Sequence, residues 1–399
     1  MRVLGMISGT SHDGIDVAIC HFERDGDELR GRVELVDSVP YDDELRRRLV
    51  AALPPAGTTL ADVTRLDTLI GQAFAEASES ALAAHRSAGG DPVDAVASHG
   101  QTVYHWVEDG VALGTLQLGQ PAWIAERTGL PVVGDLRIAD IAAGGQGAPL
   151  VPLLDQLVLD PLRAGGATVA ALNLGGISNV TVCAPGAAPV AWDIGPANAL
   201  VDAVLAADPR TPSAFDRDGE VSASGQVVPE LLEVLLAEPY YRDPAPKSTG
   251  KELFHARYVD DVLAAWGGTV TLPDLVRTLL ELTARTVADA VTAAGVEQVF
   301  VSGGGARNPT LLRALGAAAP GVRFRATTDL GLDPDAKEAI AFALIGWATL
   351  HGIPGNVPSC TGAVAPRVLG AITTAPGGGV LPVAGGAAPA SLVLEDATR

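Results

Sequence analysis

Short, dense apolar blocks alternate along the chain with longer stretches whose apolar residues recur at helical spacing. Arg2 to Ser8 reads as a strand, followed by a Gly-rich turn and a second strand from Ile15 to Phe22, with Val33 to Val39 as a third. Leu60 to Ala84 carries Val63, Leu66, Leu69, Ile70 and Phe74 on one helical face. Val93 to Ala97 and Pro131 to Gly134 are short buried-strand candidates, ending at Ser98-His99-Gly100-Gln101 and at Asp135. Strands separated by helices predict α/β architecture.

The plan then restarts. Thr168 to Leu174 is an apolar strand, Gly175-Gly176 a turn, and Val180 to Cys183 a second strand. Met6 to Cys20 and Leu172 to Cys183 thus share a strand–turn–strand plan, which predicts a duplicated domain. Downstream, Leu275 to Ala294 reads as a helix, Gln298 to Ser302 as a strand and Asn308 to Ala318 as a helix. Asp333 to Leu350 is nearly all apolar after its first turn; it predicts a buried helix with Asp333 as N-cap and Pro334 at the first helical position. Thr374 to Arg399, rich in Ala, Gly and Pro, predicts a loosely ordered tail.

Composition narrows the picture. The 399 residues suit two domains rather than one core. Hydrophobic residues make up 48% but aromatic ones only 4%, so the cores fill with small side chains. The net charge of −20 disfavours nucleic acid and anionic membrane as partners. It would also repel a nucleotide, unless backbone N–H groups, a metal ion and a few basic residues reverse the local field. Cys20, Cys183 and Cys360 fit neither a zinc site nor a disulfide framework, which points to a reducing compartment. No signal peptide and no membrane-spanning run is read, so the expected location is cytoplasmic.

Four motifs carry candidate chemistry. Ser8-Gly9-Thr10-Ser11-His12-Asp13-Gly14-Ile15-Asp16 is either a plain hairpin turn or a phosphate cradle, with bare backbone at the glycines, hydroxyls from Thr10 and Ser11, and Asp13 or Asp16 holding magnesium directly or through water. It lacks the Gly-Lys-Ser/Thr of a Walker loop. Asn173-Leu174-Gly175-Gly176-Ile177-Ser178-Asn179 repeats the arrangement, which favours a nucleotide site served by both turns. In Ser302-Gly303-Gly304-Gly305-Ala306-Arg307-Asn308-Pro309, Asn308 and Pro309 fit a helix start, whereas three glycines after a strand would let a base and ribose lie against the backbone. In Trp192-Asp193-Ile194-Gly195-Pro196-Ala197-Asn198, Asp193 is either an N-cap or a general base.

Other stretches are less specific. His99 and Gln101 are sugar-binding candidates. Asp135, Arg137, Asp140 and Gly144-Gly145-Gln146-Gly147 either contact substrate or form an interdomain loop. Lys247-Ser248-Thr249-Gly250-Lys251 either meets an anion or is a solvated turn. Glu338 needs a partner if buried, which makes it a candidate too.

Taken in order, GMISGTSHDGIDVA (5–18), SHGQT (98–102), GDLRIADIAAGGQGAPLVP (134–152), NLGGISNVT (173–181), WDIGPANALVD (192–202), FDRDGEVSASG (215–225), PKSTGKELF (246–254), VSGGGARNPTL (301–311) and AKEAIAFA (336–343) resemble the anhydro-N-acetylmuramic acid kinase family, within the acetate and sugar kinase, heat-shock chaperone and actin superfamily. The resemblance implies duplicated actin-like (ribonuclease H-like) ATPase domains flanking a central cleft: residues 1–140 plus 341–370, residues 141–340, and a tail at 371–399. It implies ATP and Mg²⁺, with Gly9, Thr10, Ser11, His12, Asp13, Gly14, Ile15 and Asp16 at the phosphates, and Gly175, Gly176, Gly303, Gly304, Gly305 and Asn308 completing the nucleotide site. Asp193 matches the family's base; His99, Gln101, Arg137 and Glu338 are the substrate-side set. The implied reaction hydrolyses the 1,6-anhydro bridge and phosphorylates the 6-oxygen, giving N-acetylmuramic acid 6-phosphate in cell-wall recycling. A homodimer is implied by the resemblance alone. His12 stands where the family is usually apolar, and Ala197 where it usually has Gly. The competing readings are a kinase of another sugar on the same fold and a non-catalytic ATP- or sugar-binding sensor; the retained Asp193 and the lack of a basic helix-turn-helix at either end count against the sensor.

Overall fold

The computed structural model describes every residue except 210, 212, 251–252, 379–386 and 396–399. Lys251 of the anion-or-turn stretch and part of the expected tail lie outside the described residues. The chain divides into two compact units, Met1–Val158 with Ala336–Arg399, and Leu159–Asp335. The sequence reading places the changes of domain near residues 140 and 340.

In the first unit, β1 (Arg2–Ser8), β2 (Gly14–Asp25) and β3 (Glu28–Pro40) form an antiparallel meander. β4 (Ala95–Glu108) adds parallel to β1, β5 (Val111–Leu118) folds back on β4 as a hairpin, and β6 (Val132–Gly134) adds parallel to β4. The second unit repeats the scheme. β7 (Val169–Leu174), β8 (Ile177–Cys183) and β9 (Val190–Pro196) form the meander, β10 (Gln298–Ser302) runs parallel to β7, and β11 (Arg323–Ala326) parallel to β10. The order β6-β4-β1-β2-β3 in one sheet and β11-β10-β7-β8-β9 in the other is one topology used twice. The first sheet is extended by β12 (Ala371–Thr373) against β6 and β13 (Ser391–Glu395) against β3. β13 lies within the segment from Thr374 onward for which the sequence predicts loose order.

The long helices begin where the sequence permits a cap. Thr59 and Thr271 each accept from the N–H three residues on, at 3.1 and 3.3 Å, and donate to the Asp62 and Asp274 carboxylates at 2.6 and 2.7 Å. Hydroxyl and carboxylate thus satisfy each other and the first turn of helices Leu60–Ser87 and Leu272–Ala293. Each helix buries an apolar stripe on its sheet: Leu66, Ile70 and Phe74 join Leu4, Met6 and Ile19, while Ala284, Val287 and Val291 join Leu172, Val180 and Val299.

Small side chains set the packing of the helix Lys337–Leu350, which is buried along nearly all its length. A Cβ on Gly5 of β1 would lie 2.1 Å from the Ala339 carbonyl oxygen, so only glycine allows helix and strand to meet this closely. This helix starts later than its apolar pattern suggests, and its N-cap is Ala336. Asp333 instead closes a local turn, accepting from the Asp335 N–H at 2.9 Å. An Asp before a Pro serves a turn as readily as a helix start.

Candidate functional site

In the first unit the candidate residues gather where β1 hands over to β2. Thr10, Ser11 and Asp13 are exposed, and His12 turns the chain with a positive φ of 55°. Ser11 donates to the Asp13 carboxylate at 2.6 Å. Gly9 has a different character from Gly5: a Cβ there would meet nothing within 4 Å, and its φ is not positive. Neither packing nor backbone geometry demands glycine at this position, so what remains is room for something from outside.

Gln101 supports this turn from beneath. A register shift between β1 and β4 sets it opposite Ser8, and it is 1% exposed. Its Oε1 accepts from the Ser8 hydroxyl at 2.6 Å, and its Nε2 donates to the carbonyls of Gly9 at 3.3 Å and Thr102 at 3.1 Å. The amide's visible duty is therefore to hold the turn.

His99 and Arg137 form the second layer. Arg137 Nε donates to His99 Nε2 at 2.7 Å, and His99 Nδ1 pairs with the Gly100 carbonyl at 3.0 Å. Burial and then the Arg137 charge hold His99 well below the usual imidazole range, so the ring is neutral, with its proton assigned to Nδ1. Phe342 packs against the ring, centroids 4.6 Å apart. Arg137 also donates to the Gly147 carbonyl at 2.7 Å, and burial lowers it to about 10 against the pull of Glu338 and Asp140. Asp140 is 0% exposed and accepts from Gly147 N–H, Asn356 and Thr361 at 2.8, 2.6 and 2.7 Å. The stretch 144–147 is thereby tied down beside Arg137.

Glu338 sits on the first turn of its helix and is reached by solvent. Protein atoms around it nonetheless raise its pKa, Arg137 pulls the other way, and Asp16 adds repulsion. Asp16 is itself raised, by burial foremost, with Ser38 lowering it by a hydrogen bond and Asp13 raising it by charge. Among the described residues there is no group of three or more His, Cys, Asp or Glu placed to hold a metal ion by themselves. Asp13 and Asp16 lie close enough for the charge of one to raise the other; Mg²⁺ commonly binds one or two carboxylates while keeping several waters.

In the second unit the turn after β7 is bare. Gly176 is exposed, and a Cβ on Gly175 or Gly176 would find only ordinary contacts at 3.4 and 3.7 Å. Asn198 holds the turn, donating from Nδ2 to the carbonyls of Leu174 at 3.0 Å and Gly175 at 2.9 Å. The sequence gives no sign of this duty, because the residues it ties lie more than twenty positions upstream.

The three glycines after β10 are not equivalent. Gly303 has φ 78°, and a Cβ there would lie 2.4 Å from Asn173 Oδ1; on Gly305 it would lie 2.7 Å from Leu174 Cβ. The chain itself requires both. Gly304 is exposed, and its nearest neighbour to a Cβ is Asn198 Nδ2 at 3.8 Å. Asn308 is buried as the N-cap of helix Pro309–Ala318, accepting from Thr310 and Leu311 N–H at 3.0 and 3.1 Å and donating to Asp216 at 3.1 Å. Capping accounts for that residue.

Asp193 lies inside β9, and the next helix begins only at Ala199 with Asn198 as its N-cap residue. The capping alternative for Asp193 is therefore excluded. Its Oδ2 accepts from the Ser248 hydroxyl at 2.9 Å and the Thr249 N–H at 3.0 Å, and its backbone carbonyl accepts from the Tyr240 hydroxyl at 2.7 Å. The side chain is half-buried.

The sequence profile of the anhydro-N-acetylmuramic acid kinase family matches residues 1–375. The chain belongs to that family. Relatives described as anhydro-N-acetylmuramic acid kinase include one from Streptomyces coelicolor, 54% identical over 94% of each chain, and one from Streptomyces avermitilis, 52% identical over 99% of this chain and 100% of its own. A relative from Rhodococcus erythropolis is 49% identical over 96% of each chain. A solved ROK family glucokinase from Streptomyces griseus aligns with 86% of this chain and 98% of its own, at 16% identity and a TM-score of 0.34. The duplicated fold of this kinase-family member rests on its own strand orders.

Proposed function

We propose that the chain is an ATP-dependent sugar kinase that opens the 1,6-anhydro bridge of 1,6-anhydro-N-acetylmuramic acid with water and phosphorylates the freed 6-oxygen, yielding N-acetylmuramic acid 6-phosphate and ADP in the cytoplasm. The observation that carries the reading is Asp193: a carboxylate inside a strand, relieved of any capping duty, held by two hydrogen bonds, in a chain that belongs to this kinase family. In this role Asp193 takes a proton from the water that attacks the anomeric carbon, and the anomeric C–O bond breaks toward the 6-oxygen, which takes the γ-phosphate.

Phosphoryl transfer requires positioning and charge neutralisation more than covalent help. In the first unit, Gly9 and the polar residues up to Asp16 offer phosphate oxygens backbone and hydroxyl groups; in the second, Gly175, Gly176 and Gly304 offer a nucleotide bare backbone. Asp13 and Asp16 would hold a hydrated Mg²⁺, which would neutralise phosphate charge. His99, neutral and buried with both ring nitrogens engaged, clamps Arg137, and Arg137 with Glu338 beside it offers the sugar its polar contacts; the gathering of these groups in one unit supports that assignment.

Asp193→Asn is the test. It keeps size and hydrogen bonding but cannot accept the proton. Turnover should fall by about 10²–10⁴, the usual general-base contribution, while ATP affinity by titration stays near wild type. Near-normal turnover would remove Asp193 from this role.

A further inference from the structure

Among the described residues β9 is the edge strand of its sheet, so its outer N–H groups have no strand partner there. At Asp193 that gap is filled by a strap, residues 240–249. The Asp193 N–H donates to the Lys247 carbonyl at 3.0 Å. Lys247 in turn donates from Nζ to the Tyr240 carbonyl at 2.7 Å and lies over the Tyr240 ring at 4.4 Å from its centroid. Tyr240 returns to the strand through its hydroxyl on the Asp193 carbonyl, and its ring packs edge-on against the fully buried Phe254. Both backbone groups of Asp193 are thus fixed by one closed ring of contacts, anchored in the core. The two residues that follow Lys247 then reach the carboxylate itself.

We propose that Ser248 is a positioning residue for Asp193, its hydroxyl and the neighbouring Thr249 N–H holding Oδ2 so that the carboxylate keeps one orientation and stays ionised. The inference rests on the reading of Asp193 as general base. It assigns the stretch 247–249, which the sequence leaves between an anion site and a solvated turn, to the protein's own carboxylate. Charge-assisted hydrogen bonds of this kind favour the ionised form of the group that accepts them. Among the described residues, the other charged or titratable groups on or against the strap are Tyr240, Tyr241 behind Gly195, Arg242, Lys247 and Asp243, which acts on Lys247, with Glu238 and Tyr258 acting on Tyr241. Burial raises Tyr241 further into the alkaline range and lowers Lys247 against the pull of Asp243.

Ser248 is exposed, so its hydroxyl can be removed without a buried void. The experiment compares Ser248→Ala, Ser248→Thr and Asp193→Asn in the full chain, with anhydro-N-acetylmuramic acid, ATP and Mg²⁺, measuring kcat from acid to neutral pH and KM for both substrates. Ser248→Ala should lower kcat about tenfold through lost orientation, move the acid limb up by about one pH unit, and leave KM for ATP unchanged. Ser248→Thr should recover most of both changes. An unmoved limb and an unchanged kcat in Ser248→Ala, beside an inactive Asp193→Asn, would overturn the inference alone. Wild-type turnover in Asp193→Asn would overturn the base assignment and the inference with it.

Discussion

The two hairpin turns, β1–β2 and β7–β8, occupy equivalent places in matching sheets and solve one problem with different parts. In each, the carbonyl of the first turn residue accepts from a side-chain amide elsewhere in the same unit: Gln101 for Gly9, Asn198 for Gly175. Gln101 comes from the parallel strand beside β1, whereas Asn198 lies two residues past the end of the meander. The turns also differ in dress. The first carries exposed Thr10, Ser11 and Asp13; the second offers only glycine backbone. The duplication thus preserves where the turn lies and how its carbonyl is restrained, while the chemistry at the tip has diverged.

Removing the amides probes that comparison hardest. Asn198 satisfies two carbonyls at 2.9 and 3.0 Å, so Asn198→Ala should raise KM for ATP roughly tenfold or more, given about 0.5–1.5 kcal/mol per hydrogen bond. Gln101→Ala loses a longer bond to Gly9, at 3.3 Å, and should raise KM for ATP by about threefold. An effect of Gln101→Ala on the sugar KM alone would break the parallel and return Gln101 to the substrate side. The smallest change sharpens the account of the bare unit. Gly304→Ala has room for its methyl at 3.8 Å from Asn198, so the melting temperature should hold while calorimetry shows ATP binding about twofold weaker. Unchanged affinity in that variant would take Gly304 out of the nucleotide site.

Much of this was legible in the sequence where apolar runs were short and dense. The meander strands and β10 follow from such runs, and the repeated strand–turn–strand plan announces the duplication that the two strand orders display. The apolar run of β4 predicts too short a strand because His99, Gly100 and Gln101 interrupt it, yet all three are buried and the strand continues to Glu108. β5 is not legible for a related reason: its hairpin with β4 leaves Val111, Leu113 and Leu116 exposed, so its pattern marks no core face. Around the site, residue types pointed to the right stretches, but not to partners. That Gln101 braces Gly9, that Asn198 braces Gly175, and that Ser248 meets Asp193 are contacts between residues far apart in the chain. The repeated glycines of 303–305 gave no means of separating those the chain requires from the one it does not; that distinction needed the neighbours of each Cβ.

The most direct test of the account is the product itself. Anhydro-N-acetylmuramic acid, ATP and Mg²⁺ are incubated with the protein in ¹⁸O-labelled water, and the sugar product is analysed by mass and fragmentation. The account predicts one phosphate on the 6-oxygen and one labelled oxygen at the anomeric carbon for each ATP consumed. A phosphorylated sugar that retains its anhydro ring, or ATP consumed with no phosphate on the sugar, would contradict it.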